Sequence, residues 1–196
     1  VNLTPEIGTH SAIFNPSCTY YIHGYSSATV PPVYTLRDAK GKVIRTIEDN
    51  AQVVESVEKT NIPAREFFTF DNGKGYMLNG FMVKPYDFDA NKQYPAVLIQ
   101  YSGPSSQEVL NNWEIDWYHY LANQGFVVIC VDGRGTGGRG KAFESIVYQN
   151  LGRYETQDQV AAARYAASLP YVDGDNIGIW GWSFGGYETL MAMTTG

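Results

Sequence analysis

A serine stands between small residues near the end of the chain, in Gly181-Trp182-Ser183-Phe184-Gly185. The apolar run Ile177-Gly178-Ile179-Trp180 leads directly into it, and helix-forming residues from Tyr187 to about Thr194 follow. G-x-S-x-G at a strand-to-helix junction is the nucleophile elbow, a strained turn that lifts the serine hydroxyl clear of a sheet edge. Small neighbours let the turn close, and Gly186 adds room. The N-terminal end of the following helix favours the negative charge that develops during acyl transfer. A glycine-rich turn with a chance serine would satisfy the bare pattern. The strand before it and the helix after it favour the nucleophile.

The chemistry then needs donors for an oxyanion, and a base. The backbone N–H of Phe184, the residue after the nucleophile, is one donor in such a turn. The second comes from the loop after an earlier strand, which begins here at Tyr101-Ser102-Gly103-Pro104. The Tyr101 hydroxyl could donate, although with 15 tyrosines in the chain position alone favours a packing role. In this arrangement the acid and then the histidine follow the serine along the chain. Thirteen residues follow Ser183, with no Asp and no His among them. The three histidines, His10, His23 and His119, all precede it. His119 falls off the apolar stripe expected of its helix, so a solvated helix face is expected for it. The base and its orienting acid are therefore expected to lie outside this chain, which on its own should be inactive.

Residues 51–196, which must hold the serine, alternate apolar strand and amphipathic helix. Glu66 to Phe70 and Tyr76 to Val83 flank the turn Asp71-Asn72-Gly73-Lys74-Gly75. Ala96 to Tyr101 forms a strand, and Trp113, Trp117, Tyr120, Leu121 and Gln124 are expected on one helical stripe stopped by Gly125. Phe126 to Val131 is apolar throughout, as in a strand buried on both faces. Glu155 to Leu169 is an Ala-rich helix ended by Pro170. This grammar predicts the N-terminal part of an α/β-hydrolase doubly wound sheet. Residues 1–50 differ. Short β-prone runs there alternate with Asn15-Pro16-Ser17, Pro31-Pro32 and Asp38-Ala39-Lys40-Gly41 turns, which predicts four strands and the size of one β-propeller blade. Residues 51–64 are expected to be a connecting segment.

Bulk composition bounds the remaining classes. Hydrophobic residues at 44% against charged residues at 17% give a folded rather than a disordered chain. A net charge of −6 with no basic run argues against nucleic acid as a partner. Histidine and cysteine spacing fits no metal-ligand pattern, so neither metal nor cofactor is expected. Cys18 lies in a turn, and Cys130 is expected to be a buried small hydrophobe. Gly133-Arg134-Gly135-Thr136-Gly137-Gly138 matches the dinucleotide fingerprint, with Asp158 at about the right distance. Lys141 to Gly152 is not a clean helix, however, and Asp158 falls inside one, so a glycine-rich loop near the sheet edge is the better reading.

Taken together, these strings resemble the prolyl oligopeptidase family of serine peptidases, in its dipeptide-releasing branch. The likeness runs through Leu36 to Asn50, Tyr94-Pro95 leading to Tyr101-Ser102-Gly103-Pro104-Ser105-Ser106-Gln107, Asp132-Gly133-Arg134-Gly135 and Leu151-Gly152. It continues through Asp158-Gln159 with Ala162-Ala163-Arg164, and Ile179 to Tyr187. The resemblance implies a propeller capping a hydrolase domain, Ser183 as nucleophile and Tyr101 as the hydroxyl donor to the oxyanion. It also implies a peptide substrate cleaved after Pro or Ala at the second position, a homodimeric parent enzyme, and a secreted, periplasmic or cell-envelope location. Phe184 stands where the family commonly has Tyr, which keeps the backbone donor and removes a hydroxyl. A tripeptidyl or oligopeptidase relative, or a non-catalytic module, are the alternatives.

Overall fold

The structure, a computed structural model, describes residues 2–195. It divides into two compact units, one of residues up to Ala64 with Leu110–Ile115, the other of Arg65–Val109 with Asp116 onward.

The first unit is a four-stranded antiparallel sheet, β1 (Thr9–Phe14), β2 (Tyr20–Ser27), β3 (Val30–Asp38) and β4 (Val43–Glu48), each paired with the next in sequence order. Turn chemistry sets the register. The Asn15 side chain accepts from the N–H groups of Thr19 and Tyr20 at 2.9 and 3.0 Å. Asp38 accepts from those of Lys40 and Lys42, each at 2.9 Å. Every residue of β4 is exposed, as are Ile13, Phe14 and Ile22. Tyr21 and His23 are buried. His10 directs one ring nitrogen to Glu6 O at 2.8 Å and the other to His23 Nε2 at 2.9 Å. If the first is the N–H donor, His23 donates in the second. Burial, with the Arg37 charge and His10 beside it, holds His23 below the usual imidazole range. The segment expected to be a plain connection contains α1 (Ala51–Glu58), a helix with no buried residue. Val53 and Val54 are exposed, and eight residues make too short a run to stand out from a connecting segment.

The second unit is built on a five-stranded sheet, β5 (Arg65–Asp71), β6 (Met77–Val83), β7 (Tyr94–Ile99), β8 (Val127–Asp132) and β9 (Val172–Trp180), in spatial order β5-β6-β8-β7-β9. β5, β6 and β8 pair antiparallel, whereas β8, β7 and β9 run parallel. The class is the α/β sheet expected. All six residues of β8 are buried, and alternation between two covered faces explains why Val127 to Val131 is apolar throughout. Val127, Ile129 and Val131 join Leu98, Ala162 and Ala166 beneath α4 (Tyr154–Ala167). Val128 and Cys130 join Phe81, Val83 and Ile99 beneath α2 (Trp117–Asn123). Each Val, Leu, Ile or Phe among them taken fully from water contributes about 1.5–3 kcal/mol.

Two expectations about helices are corrected. α2 buries Tyr118, His119 and Ala122, while Trp117 and Tyr120 are exposed and Trp113 and Gln124 lie outside the helix. His119 is thus not on a solvated face. It accepts from Asp116 N–H through Nδ1 at 3.1 Å, half of a reciprocal cap in which Asp116 starts the helix, and burial lowers its pKa. The last helix, α5, spans Phe184–Thr195 and so begins three residues before Tyr187. Between β8 and α4 the chain makes only a short helix, α3 (Lys141–Glu144), and a 3₁₀ turn over Ser145–Val147. Among the described residues no helix is long and apolar enough to cross a membrane.

Candidate active site

β9 ends at Trp180, and the chain turns through Gly181-Trp182-Ser183 into α5. Ser183 has φ 54°, in the left-handed region that a residue with a Cβ occupies only when its surroundings hold it there. The holding contacts are short. Gly185 N–H donates to Trp182 O at 2.8 Å, and Gly186 and Tyr187 N–H to Ser183 O at 3.0 and 3.2 Å. A Cβ on Gly185 would lie 2.4 Å from Gln100 O and 3.1 Å from Tyr101 Cα. A Cβ on Gly181 would meet the Gly185 backbone at 2.5 Å. Both positions therefore exclude any side chain. The turn is pressed against the exit of β7, and Ser183 itself is exposed.

That same exit carries Tyr101. Its ring lies against Gly103, where a Cβ would approach it to 2.4 Å, and its centroid is 6.4 Å from that of Phe184. The adjoining loop holds an unusual backbone, with Ser102 at φ 59° and Ser105 at φ 63°. Gln159 Nε2 ties it down by donating to Ser102 Oγ and to Val131 O, each at 3.0 Å. β7 and β9 are parallel neighbours, so Tyr101 and Ser183 leave the same edge of the sheet. Phe184 opens α5, and its N–H is one of the four at a helix start that no helix carbonyl can satisfy. An exposed serine, a tyrosine and an orphan N–H at the positive end of a helix can together support acyl transfer.

No base accompanies them from the described histidines. His119 Nδ1 is engaged in the α2 cap, and His10 and His23 bond each other. Glu188 is the one carboxylic acid after the serine. It is fully buried. Its Oε2 lies 2.8 Å from Thr156 Oγ1, and burial pushes its pKa up to about 7, with Thr156 pulling down and neighbouring Glu155 adding to the rise. The acid–base signal was hidden there because Glu188 reads as an ordinary helix residue until its partner on α4 is known.

The glycine-rich loop after β8 packs and braces. Arg134 N–H donates to Asp158 at 2.7 Å, Gly135 N–H to Phe143 O, Thr136 N–H to Gly133 O and Gly137 N–H to Ser106 O. With these four N–H groups already used, the loop has little to offer a phosphate. The Arg134 guanidinium bonds Asp158 through Nε and NH2, the latter at 2.8 Å, with both side chains buried. Asn72 Nδ2 adds a fourth donor to Asp158 at 2.7 Å. Arg134 also lies over the Tyr76 and Tyr154 rings at 5.1 and 4.9 Å. Asp132, at the end of β8, accepts from the N–H groups of Glu108 and Val109, and its burial raises its pKa against those two bonds. Among the described residues no cluster of three His, Cys, Asp or Glu side chains could hold a metal.

Residues 113–196 match the model of the prolyl oligopeptidase family. A relative from Aspergillus flavus named Probable dipeptidyl peptidase 4 is 40% identical over 93% of this chain, which covers 24% of that protein. One from Pyrenophora teres f. teres, Probable dipeptidyl-aminopeptidase B, is 38% identical over 95% of the chain, which covers 21% of it. The crystal structure of Porphyromonas gingivalis dipeptidyl peptidase 4 superposes with a TM-score of 0.96 at 47% identity, covering 99% of this chain and 28% of that one. The chain thus spans about a quarter of the length of the relatives it matches.

Proposed function

We propose, for a chain that belongs through residues 113–196 to the prolyl oligopeptidase family, that its parent protein is a serine exopeptidase releasing N-terminal dipeptides with Pro or Ala in second place. Residues 1–50 are then the last blade of a propeller and residues 51–196 the first part of the hydrolase domain. The observation that carries the reading is Ser183 held at φ 54° on a strand-to-helix turn beside Tyr101.

In the reaction Ser183 Oγ attacks the scissile carbonyl carbon while a base from the remainder of the parent protein takes the hydroxyl proton. The carbonyl oxygen gains the negative charge, and the Tyr101 O–H and Phe184 N–H donate to it. Collapse expels the amine of the shortened peptide, which receives the proton, and leaves the dipeptide as an ester on Ser183. Water then hydrolyses that ester by the reverse sequence. The exposed apolar residues of β1, β2 and β4 are surfaces for neighbouring parts of the propeller. The parent is a homodimer of the cell envelope, periplasm or medium, a reading that rests on the family likeness.

The test is hydrolysis by the parent-length protein of a Gly-Pro chromogenic substrate against longer, N-terminally blocked ones. Turnover of Gly-Pro is expected. Turnover of only the longer substrates would instead assign a tripeptidyl or oligopeptidase register.

A further inference from the structure

Gln100, the residue between β7 and Tyr101, is buried and yet polar. Its backbone N–H donates to Trp180 O at 3.1 Å, the last carbonyl before the Ser183 turn. Its side-chain Nε2 reaches the other side of that turn, donating to Gly185 O at 2.7 Å and to Thr189 Oγ1 at 3.3 Å. Thr189 Oγ1 in turn donates to the same Gly185 O at 2.8 Å. Its own carbonyl oxygen closes the set from behind, since it is the atom that a Cβ on Gly185 would strike. One residue thus grips both ends of the serine turn, and its next neighbour in the chain is the tyrosine.

The side chain has a cost that its packing does not require. Gln100 Oε1 is buried without a hydrogen-bond partner, and a buried unpaired polar atom costs about 1–3 kcal/mol. Methionine would fill a similar volume with no such atom. What the amide supplies, and methionine lacks, is the donor to Gly185 O. We infer that Gln100 is a positioning residue of the peptidase site, setting the spacing between the Tyr101 hydroxyl and the oxyanion formed at Ser183. The inference rests on the reading of Ser183 as nucleophile and Tyr101 as donor.

A double-mutant cycle in the parent-length enzyme tests it, with Gln100→Met, Tyr101→Phe and the pair assayed for kcat and KM. Tyr101→Phe alone should lower kcat by about 100-fold or more. Gln100→Met alone should lower kcat by about 10-fold or more, with KM within about twofold and the melting temperature nearly unchanged, because misplacement of a donor acts on the transition state. In the Tyr101→Phe background the Gln100→Met effect should shrink to about twofold. Gln100→Glu supplies a readout that packing would not move. An ionised carboxylate there faces Gly185 O with no hydrogen to give, whereas the protonated acid can donate. Its kcat as a fraction of wild type should therefore rise by about fivefold or more from pH 8 to pH 6. Equal losses from Gln100→Met with and without Tyr101, or a flat Gln100→Glu ratio, would overturn the positioning role and leave the donor assignment intact. An unaltered kcat in Tyr101→Phe would remove the donor assignment and the inference with it.

Discussion

Glu188 offers the sharpest quantitative test of how the serine helix is seated. Thr156 Oγ1 lies 2.5 Å from Gly152 O and 2.8 Å from Glu188 Oε2, both acceptors if Glu188 is ionised. A hydroxyl has one hydrogen, so a protonated Glu188 supplies the second bond of the pair. The carboxyl is fully buried, its other oxygen has no partner, and its pKa is about 7 against an ordinary 4.5. The folded state therefore holds the proton more tightly than the unfolded chain. The resulting stabilisation is complete below about pH 4.5 and is lost as pH rises through about 7. A shift of this size is worth about 3 kcal/mol at about 1.36 kcal/mol per unit. Glu188→Gln keeps a donor for Thr156 and removes the titration. Urea unfolding followed by tryptophan fluorescence should find the variant within about 1 kcal/mol of wild type at pH 4.5. At pH 8 it should be more stable than wild type by about 2–3 kcal/mol. A variant that is equally destabilised at both pH values would refute the proton count, and with it a neutral Glu188.

The Arg134–Asp158 pair should behave as a buried ion pair whose halves depend on each other. Asp158→Ala leaves a buried guanidinium and Asn72 without their acceptor, and should cost about 3–5 kcal/mol in denaturant unfolding; a loss below about 1 kcal/mol would mean that the network is not braced as described. Gly185→Ala pushes a methyl group into Gln100 O and should lower kcat/KM by about 100-fold by parting the turn from β7. Gly178→Ala, where a Cβ on β9 meets nothing within 4 Å, is its control and should cost no more than about 1 kcal/mol.

The turn at Ser183 was legible because it combines a local sequence pattern with two changes of hydrophobic period, strand before and helix after. The buried strand β8 was legible for a related reason, since Val127 to Val131 is apolar at every position and such a run has to be covered on both faces. The orientation of α2 was not. Large aromatic rings suggested an inward stripe, yet Tyr120 points outward and the polar His119 is buried because Asp116 satisfies it. α5 starts early because Gly185, which local propensity would place outside a helix, is small enough to pass the exit of β7. Arg134 with Asp158, Gln159 with Ser102, and Gln100 with Gly185 are pairings across 24, 57 and 85 residues. Nothing in the spacing of a single sequence announces such pairs. They belong to the sheet order β8-β7-β9, which brings the strand exits together.

Ser183 is the nucleophile of the proposed reaction, and a fluorophosphonate probe reads that most directly. Treatment of the parent-length protein, followed by digestion and mass spectrometry, should place the adduct on the peptide containing Ser183, with labelling and Gly-Pro hydrolysis both absent in Ser183→Ala. The 196-residue chain alone should label poorly, because its histidines, His10, His23 and His119, are engaged in other hydrogen bonds. Labelling on another residue, or peptidase activity that survives Ser183→Ala, would contradict the account.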